Sequence, residues 1–498
     1  MRSHRAGLMA GLLLVLVLLD PARAQERAEP AADAVSLAQI LEHAVRHSPE
    51  LASARIDVEV AEARVMEASG IEDWLIGATA SYLRRRTESA EGNIIGTNEI
   101  DRIAGSISLS KLLFTGGTFS IVADSDRSET LFAFGGGDRT TETTTSIVAR
   151  LSQPLLRDRG EGVTRAAQNQ AELARRAAVL QREAAARGLV RDLVSAYWEL
   201  AYAAADLEIR RSSLDLARER RRLTQASVKA GATAPTEVVA VDQVIASREE
   251  EIVVAELGVL QRALDMRALA GMEIGPGHLG LVATAPLEVE PQPIDLDDVV
   301  ARALRESPEI AALELRGESA QIEVEVTDNG LLPALDFSIY GGPLGTDTTF
   351  AGSVEQLAEG QGYQVGGELR FEHSFGRNSA RGSSRRARAE YQRVMVDKAD
   401  LRRQIARAAA EAASQAQVAA RRLALSQVAI ELSQKNIEAE MGRFELGKST
   451  NFDVLERQEE LKQARLRYAR AVTDYLRATA FISALTGDIL DQYGVVVK

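Results

Sequence analysis

The feature that most constrains this chain is that it contains one unit twice. Ser48-Pro49-Glu50 returns as Ser307-Pro308-Glu309, an offset of 259 residues that Leu37 and Leu296, and Ala44 and Ala303, also keep. The far ends repeat at an offset of 216: Gly231 with Gly447, Val238 with Val454, and Leu269-Ala270-Gly271 with Leu485-Thr486-Gly487. One supersecondary unit, repeated, dictates the whole architecture. The two copies run over 35–272 and 294–490, with a linker at 273–293 and a tail at 491–498. The offsets differ by 43, so the first copy is the longer, and its extra residues fall at about 89–143.

Each copy reads as helix, strands, very long helix, turn, helix. No proline stands between Pro154 and Pro235, and Gly188 is the only glycine between Gly162 and Gly231. The intervening Ala, Glu, Arg and Leu are strong helix formers. About 70 such residues make a rod of roughly 100 Å. The second copy repeats the pattern from Ser383 to Leu446, with only Gly442 inside. Rods this long need partner helices along their whole length.

Before each long helix the apolar residues alternate with period two, the mark of a strand with two unlike faces. Tyr363, Val365, Leu369 and Phe371 oppose Gln364, Glu368, Arg370 and Glu372. Leu335, Phe337 and Ile339 oppose Asp336 and Ser338; Trp74, Ile76, Ala78, Ala80 and Tyr82 oppose Leu75, Thr79, Ser81 and Leu83. Ile147, Ala149 and Leu151 oppose Ser146, Arg150 and Ser152. Four strands per chain are expected, too few to close a channel, so closure would take several chains. A soluble sheet packed on protein has the same period. The extra 89–143 segment, with its alternating Ser106 to Ser110 and a turn at Thr115-Gly116-Gly117-Thr118, is expected as an added hairpin outside the barrel or at its rim. Gly135-Gly136-Gly137-Asp138 reads as a loop, not a phosphate cradle.

The start of the chain says where this body works. Arg2 and Arg5, the apolar run Leu8 to Leu19 and the small-x-small Ala22-Arg23-Ala24 have the order of a secretory signal peptide over 1–24, followed by an extension at 25–34. Nothing after Leu19 is long and apolar enough for a spanning helix, so a membrane could be crossed only as a closed β-barrel. The net charge of −13 speaks against nucleic acid. Cysteine is absent, which excludes a disulfide framework, a thiolate metal site and a catalytic thiol. His43 and His47 sit at a metal-capable i, i+4 spacing, yet without further ligands they read as a surface helix. No nucleophile elbow, Walker sequence or metal cluster appears, so no catalytic residue, cofactor or metal is expected.

The duplicated order of these segments resembles the TolC-type outer-membrane efflux proteins. The resemblance covers Val35 to about Leu490. It rests on the two Ser-Pro-Glu motifs, Gly330-Leu331-Leu332-Pro333, Leu151-Ser152-Gln153-Pro154-Leu155-Leu156, and the turn Phe444 to Leu455. Trp74 departs from it, standing where the second copy has Pro333. The resemblance implies a mainly α fold with a β-barrel part: a homotrimer forming an α-helical barrel across the periplasm and a twelve-stranded barrel in outer-membrane lipid. It implies passive exit, in efflux or type I secretion, for substrates delivered by an inner-membrane RND, ABC or MFS pump through a periplasmic adaptor (membrane fusion protein). The adaptor-docking turns would be Gly231, Ala232 and Thr233 with Gly447, Lys448 and Ser449. Asp453 and Glu456 match the family's acidic tunnel entrance, with Glu237 at the equivalent place in the first copy. Against this, Glu237 and Asp453 also suit helix capping and dipole stabilisation. Glu368, Arg370 and Glu372 are barrel-lumen candidates or simply solvated strand polars. A periplasmic coiled-coil adaptor or scaffold is the alternative of another class; it needs no alternating strands. An exported enzyme would need a catalytic constellation.

Overall fold

The computed structural model describes residues 33–87, 97–132, 139–231, 233–276 and 278–496. The signal segment 1–24, residues 25–32 of the extension, Gly135 to Asp138 and Ala232 lie outside the described residues. The first copy contains β1 (Asp33–Val35), α1 (Leu37–His47), α2 (Pro49–Ser69), β2 (Leu75–Arg86), β3 (Thr97–Leu112), β4 (Thr118–Phe132), β5 (Arg139–Pro154), the single turn α3 (Glu161–Thr164), α4 (Ala166–Lys229) and α5 (Thr236–Ala270). The linker carries β6 (Leu281–Ala283). The second copy contains α6 (Leu296–Glu306), α7 (Pro308–Asn329), β7 (Ala334–Asp347), α8 (Phe350–Glu359), β8 (Gly362–Glu372), α9 (Asn378–Glu445) and α10 (Asn451–Thr486), and α11 (Ile489–Gln492) follows.

The repeated Ser-Pro-Glu motif is a helix restart. Ser48 and Ser307 are extended N-cap residues, and the proline after each occupies the first helical position of α2 and α7. That position asks for no N–H and suits the fixed φ of proline. Each copy's final long helix stops at a left-handed glycine, Gly271 (φ 68°) and Gly487 (φ 90°).

α4 and α9 run 64 and 68 residues and pair with α5 and α10 as two long hairpins laid side by side. α9 turns Ala409, Ala412, Ala413, Ala416 and Ala419 inward, all buried. Small side chains at three- and four-residue spacing let helices approach closely. The largest core lies midway, where Leu189, Leu193, Tyr197 and Leu200 of α4 meet Ile40 and Leu51, Met266 of α5, Leu281 of the linker and Ile489. Two buried tyrosines pin the linker: the Ala285 N–H donates to the Tyr197 hydroxyl (3.0 Å), and the Gln292 N–H donates to that of Tyr475 (2.8 Å). β1 and β6 pair in parallel beside this core.

At one end of the helices stands a single sheet, ordered β2-β3-β4-β5-β7-β8, with every neighbour antiparallel. Here an expectation needs correcting. The sheet has six strands rather than four, because the extra segment is not a hairpin set outside the sheet: β3 and β4 are inserted within it, between β2 and β5. Three such sheets would supply more strands than the expected twelve. The physical reason is length: β3 and β4 have 16 and 15 residues, enough to match the 16 of β5 along its whole height. The turn joining them closes with the Leu113 N–H donating to Gly117 O (2.7 Å) and sits at the helix end of the sheet.

Candidate functional site: helical tips and a two-faced sheet

The strand register sorts side chains onto two faces, since residues directly opposite share a face. One row runs Thr79, Ser106, Asp124, Ser146; the next row down, on the other face, runs Ala78, Ile107, Ala123, Ile147. Extending this alternation gives an apolar face of Ile76, Tyr82, Ile103, Leu109, Phe119, Ile121, Leu151, Phe337, Ile339, Val365, Leu369 and Phe371. Ile107 is 63% exposed, Val365 74% and Leu369 66%, so most of this band is left uncovered within the chain. On the same face, charges gather at the end away from the helices, where Arg84 meets Glu99 and Arg127 meets Glu129. α8 lies against this face beside Gly345, with the Thr145 and Ser353 hydroxyls 2.8 Å apart.

The opposite face is mostly hydroxyls and charges. Ser146 donates to Asp124 (2.6 Å), Arg102 pairs with Asp126, and the Arg150 guanidinium stacks 4.5 Å from the Tyr340 ring. Glu368, Arg370 and Glu372 belong here, opposite Ser338, Asp336 and Ala334 on β7. β2 and β8 are the two edges of the sheet, and β2 is exposed at all twelve positions.

The other candidate region is the far end of the helical hairpins. The first turn is left-handed at Gly231 (φ 77°), with the Ser227 and Thr233 hydroxyls 2.6 Å apart. The second is left-handed at Gly447 (φ 69°), and the Lys448 N–H donates to Arg443 O (2.9 Å). Only the second is followed by a capping box. Asp453 accepts from the Thr450 N–H (2.9 Å), the Thr450 hydroxyl (2.8 Å) and the Ser449 hydroxyl (3.2 Å). These bonds, the backbone one foremost, hold its carboxyl below the usual range.

Of the three acidic candidates, the structure brings two together. Glu237 and Glu456 both line a groove of about 840 Å³ between α5 and α10, while Asp453 is turned into its own capping box. Glu237 also accepts from the Asn451 amide (3.3 Å), and buried Asn451 in turn accepts from Thr224 (3.2 Å). That chain ties the two hairpins at their tips.

Sequence reading missed the ionic clasp behind this groove. Lys462 is 3% exposed, and its ammonium reaches Glu251 and Glu459, each at 2.8 Å. Glu251 also accepts from Arg210 (2.8 Å), so one carboxylate joins α4, α5 and α10. Burial raises Glu459, but hydrogen bonds from Gln463 and Lys462 outweigh it and leave the carboxyl below its ordinary value. Arg248 is held down by burial and donates to Ser213 O (2.5 Å). Nothing in the sequence set these charges apart from a solvated helix face, because only the tertiary contact makes them buried.

Among the described residues no helix is long and apolar enough to cross a membrane. The chain matches the family model described as outer membrane efflux protein over residues 40–272 and 299–488. No curated protein matches it. Among solved structures it is similar to the outer membrane protein VceC of Vibrio cholerae (17% identity, 91% of this chain and 96% of that one, TM-score 0.63). The outer-membrane channel OprN is similar at 18% identity, 91% and 90% coverage and a TM-score of 0.67. So is the CmeC outer membrane channel of Campylobacter jejuni, at 14% identity, 91% and 85% coverage and a TM-score of 0.64.

Proposed function

This chain belongs to the outer membrane efflux protein family, and on that footing we propose that several copies close their sheets into one lipid-embedded barrel whose paired helices form a tunnel for passive exit. The family is one of Gram-negative outer-membrane channels reaching into the periplasm, not a family of enzymes. One observation carries the proposal: a sheet with one largely uncovered apolar face, one polar face and two bare edges, standing at the end of long helices packed through a buried alanine seam. In lipid a bare strand edge leaves backbone groups unpaired at several kcal/mol each, so only closure is stable. A coiled-coil scaffold has no need of such a face.

The assembly is read as a homotrimer, served by a periplasmic adaptor and an inner-membrane RND, ABC or MFS pump. The turns at Gly231, Ala232, Thr233, Gly447, Lys448 and Ser449 would meet the adaptor, since they are the helical ends farthest from the sheet. Glu237, Asp453 and Glu456 stand close behind those turns. Repeated around an axis they would ring a narrow entrance with carboxylates, favouring cations. Glu368, Arg370 and Glu372 share the polar face and would face the lumen.

Full-length protein extracted from outer membranes should require detergent, migrate as an oligomer and conduct ions in planar bilayers. A monomer soluble without detergent would overturn the reading. Asp453→Ala combined with Glu456→Ala should weaken block by multivalent cations; unchanged block removes those two residues from the pore.

A further inference from the structure

The inserted strands are built as wall, and the geometry points to a barrel of eighteen strands, three sheets of six, wider than four strands per chain would give. This inference rests on the exit-channel reading and adds the bore of the channel to it.

Three observations carry it. The insertion first keeps parity. Counting across Thr79, Ser106, Asp124 and Ser146, both faces pass through β3 and β4 without interruption. The added outward side chains include Ile103, Ile107, Phe119 and Ile121, while Arg102, Ser106, Asp124 and Asp126 join the polar side. A hairpin destined for solvent has no reason to carry an apolar face level with that of its neighbours.

The insertion is also anchored where it meets the helices. Thr115 donates its hydroxyl to the Gln153 amide oxygen (2.7 Å), the Gln153 amide nitrogen donates to Thr115 O (3.0 Å), and the Gly160 N–H donates to the same oxygen (3.0 Å). Gly116 is left-handed (φ 85°), and a Cβ there would come within 2.2 Å of Asp158 O, so only glycine fits this close approach.

Finally, the edges match. An even number of added strands leaves β2 and β8 running in opposite directions, so β8 of one copy meets β2 of the next antiparallel, as every other pair in the sheet does. Barrel diameter grows roughly linearly with strand number, and walls of 16–18 strands leave an aqueous channel. Eighteen strands in place of twelve widen the wall about one and a half times and its cross-section about twofold. The outer exit then admits bulkier cargo than the helical tips do, and size selection falls to the tips.

The test uses the assembled full-length protein. Because the chain has no native cysteine, disulfide pairs can be introduced on a clean background. Thr79→Cys with Ser106→Cys, and separately Asp124→Cys with Ser146→Cys, probe the two seams of the insertion. Both pairs should oxidise within detergent-extracted oligomers, and projection images down the axis should show eighteen strands. A second variant, with residues 88–138 replaced by a short turn, should give a wall narrower by about one third, by the same scaling. A conducting oligomer with twelve strands, or with neither seam oxidising, overturns this inference while leaving the exit channel intact. Absence of any detergent-dependent oligomer overturns both. Should the shortened variant not assemble, the strand count of the intact protein decides.

Discussion

The two copies share a helical register but fill it differently. At the offset of 216, Leu193, Tyr197 and Leu200 of α4 correspond to Ala409, Ala413 and Ala416 of α9, and all six are buried. The first long helix meets α1, the linker and the C-terminal turn at this level, so bulky side chains have a cavity to fill. Its counterpart lies against α6, α7 and α10 through a seam of alanines, with Val289 of the linker at the edge. The copies differ again in the sheet, to which the first gives four strands and the second two. The long helices are held to nearly equal length because each must match a partner, whereas a sheet accepts a strand pair wherever register and faces continue. Duplication preserved what is constrained by mutual packing and released what is constrained only locally.

The strongest way to break this comparison is to exchange the packing. Tyr197→Ala leaves a void in the larger core and forfeits the bond from Ala285, so it should cost about 3–5 kcal/mol, seen as a lower thermal midpoint in detergent. Ala413→Tyr, the reverse change in the second copy, should overfill the seam and cost about 1–3 kcal/mol. A costless Ala413→Tyr would show that the seam is not close-packed. The ionic clasp comes next. Glu251→Ala takes one of two carboxylates from buried Lys462, which keeps Glu459, and one of two from Arg210, which keeps Asp206, and should cost about 1.5–3 kcal/mol. Glu251→Ala combined with Glu459→Ala strips both carboxylates from Lys462 and should cost more than the sum of the two single changes; simple additivity would mean that the two carboxylates do not share that ammonium.

The turns offer a smaller contrast. Thr450→Ala removes the capping box of α10 and should cost about 1 kcal/mol, read as faster amide exchange at its first turn. Thr236→Ala should change little, because α5 has no side-chain cap. The smallest effect is that of acid. The Asp453 carboxyl is held below its unfolded value, so its contribution is complete above the ordinary carboxylate range and fades as pH falls through the lowered folded value. Exchange at the second tip should therefore quicken in acid before exchange at the first. Equal behaviour of the two tips would sink that assignment.

Much of this was legible in the residues. The repeat, the proline-free and glycine-poor long helices, the period-two faces and the turns at Gly231 and Gly447 are local or periodic signals, which survive without knowledge of the fold. The sequence places Glu237, Asp453 and Glu456 just behind the helical turns but does not give their partnering: Asp453 bonds to its own turn, and Glu456 shares a groove with Glu237. The clasp at Lys462 was invisible, because a charged helix residue looks the same in sequence whether it meets water or a buried carboxylate.

The inserted strands mark the boundary between the two kinds of knowledge. Period two in Ser106 to Ser110 establishes that a strand forms with unlike faces, since side chains of an extended chain must alternate. Whether that strand stands within the sheet or apart from it is decided by the hydrogen bonds that β3 and β4 make with β2 and β5. Those are contacts between distant segments, and no local pattern encodes them. The amino-acid order decides which elements exist and which faces they carry; the packed molecule decides which neighbours those faces and edges receive.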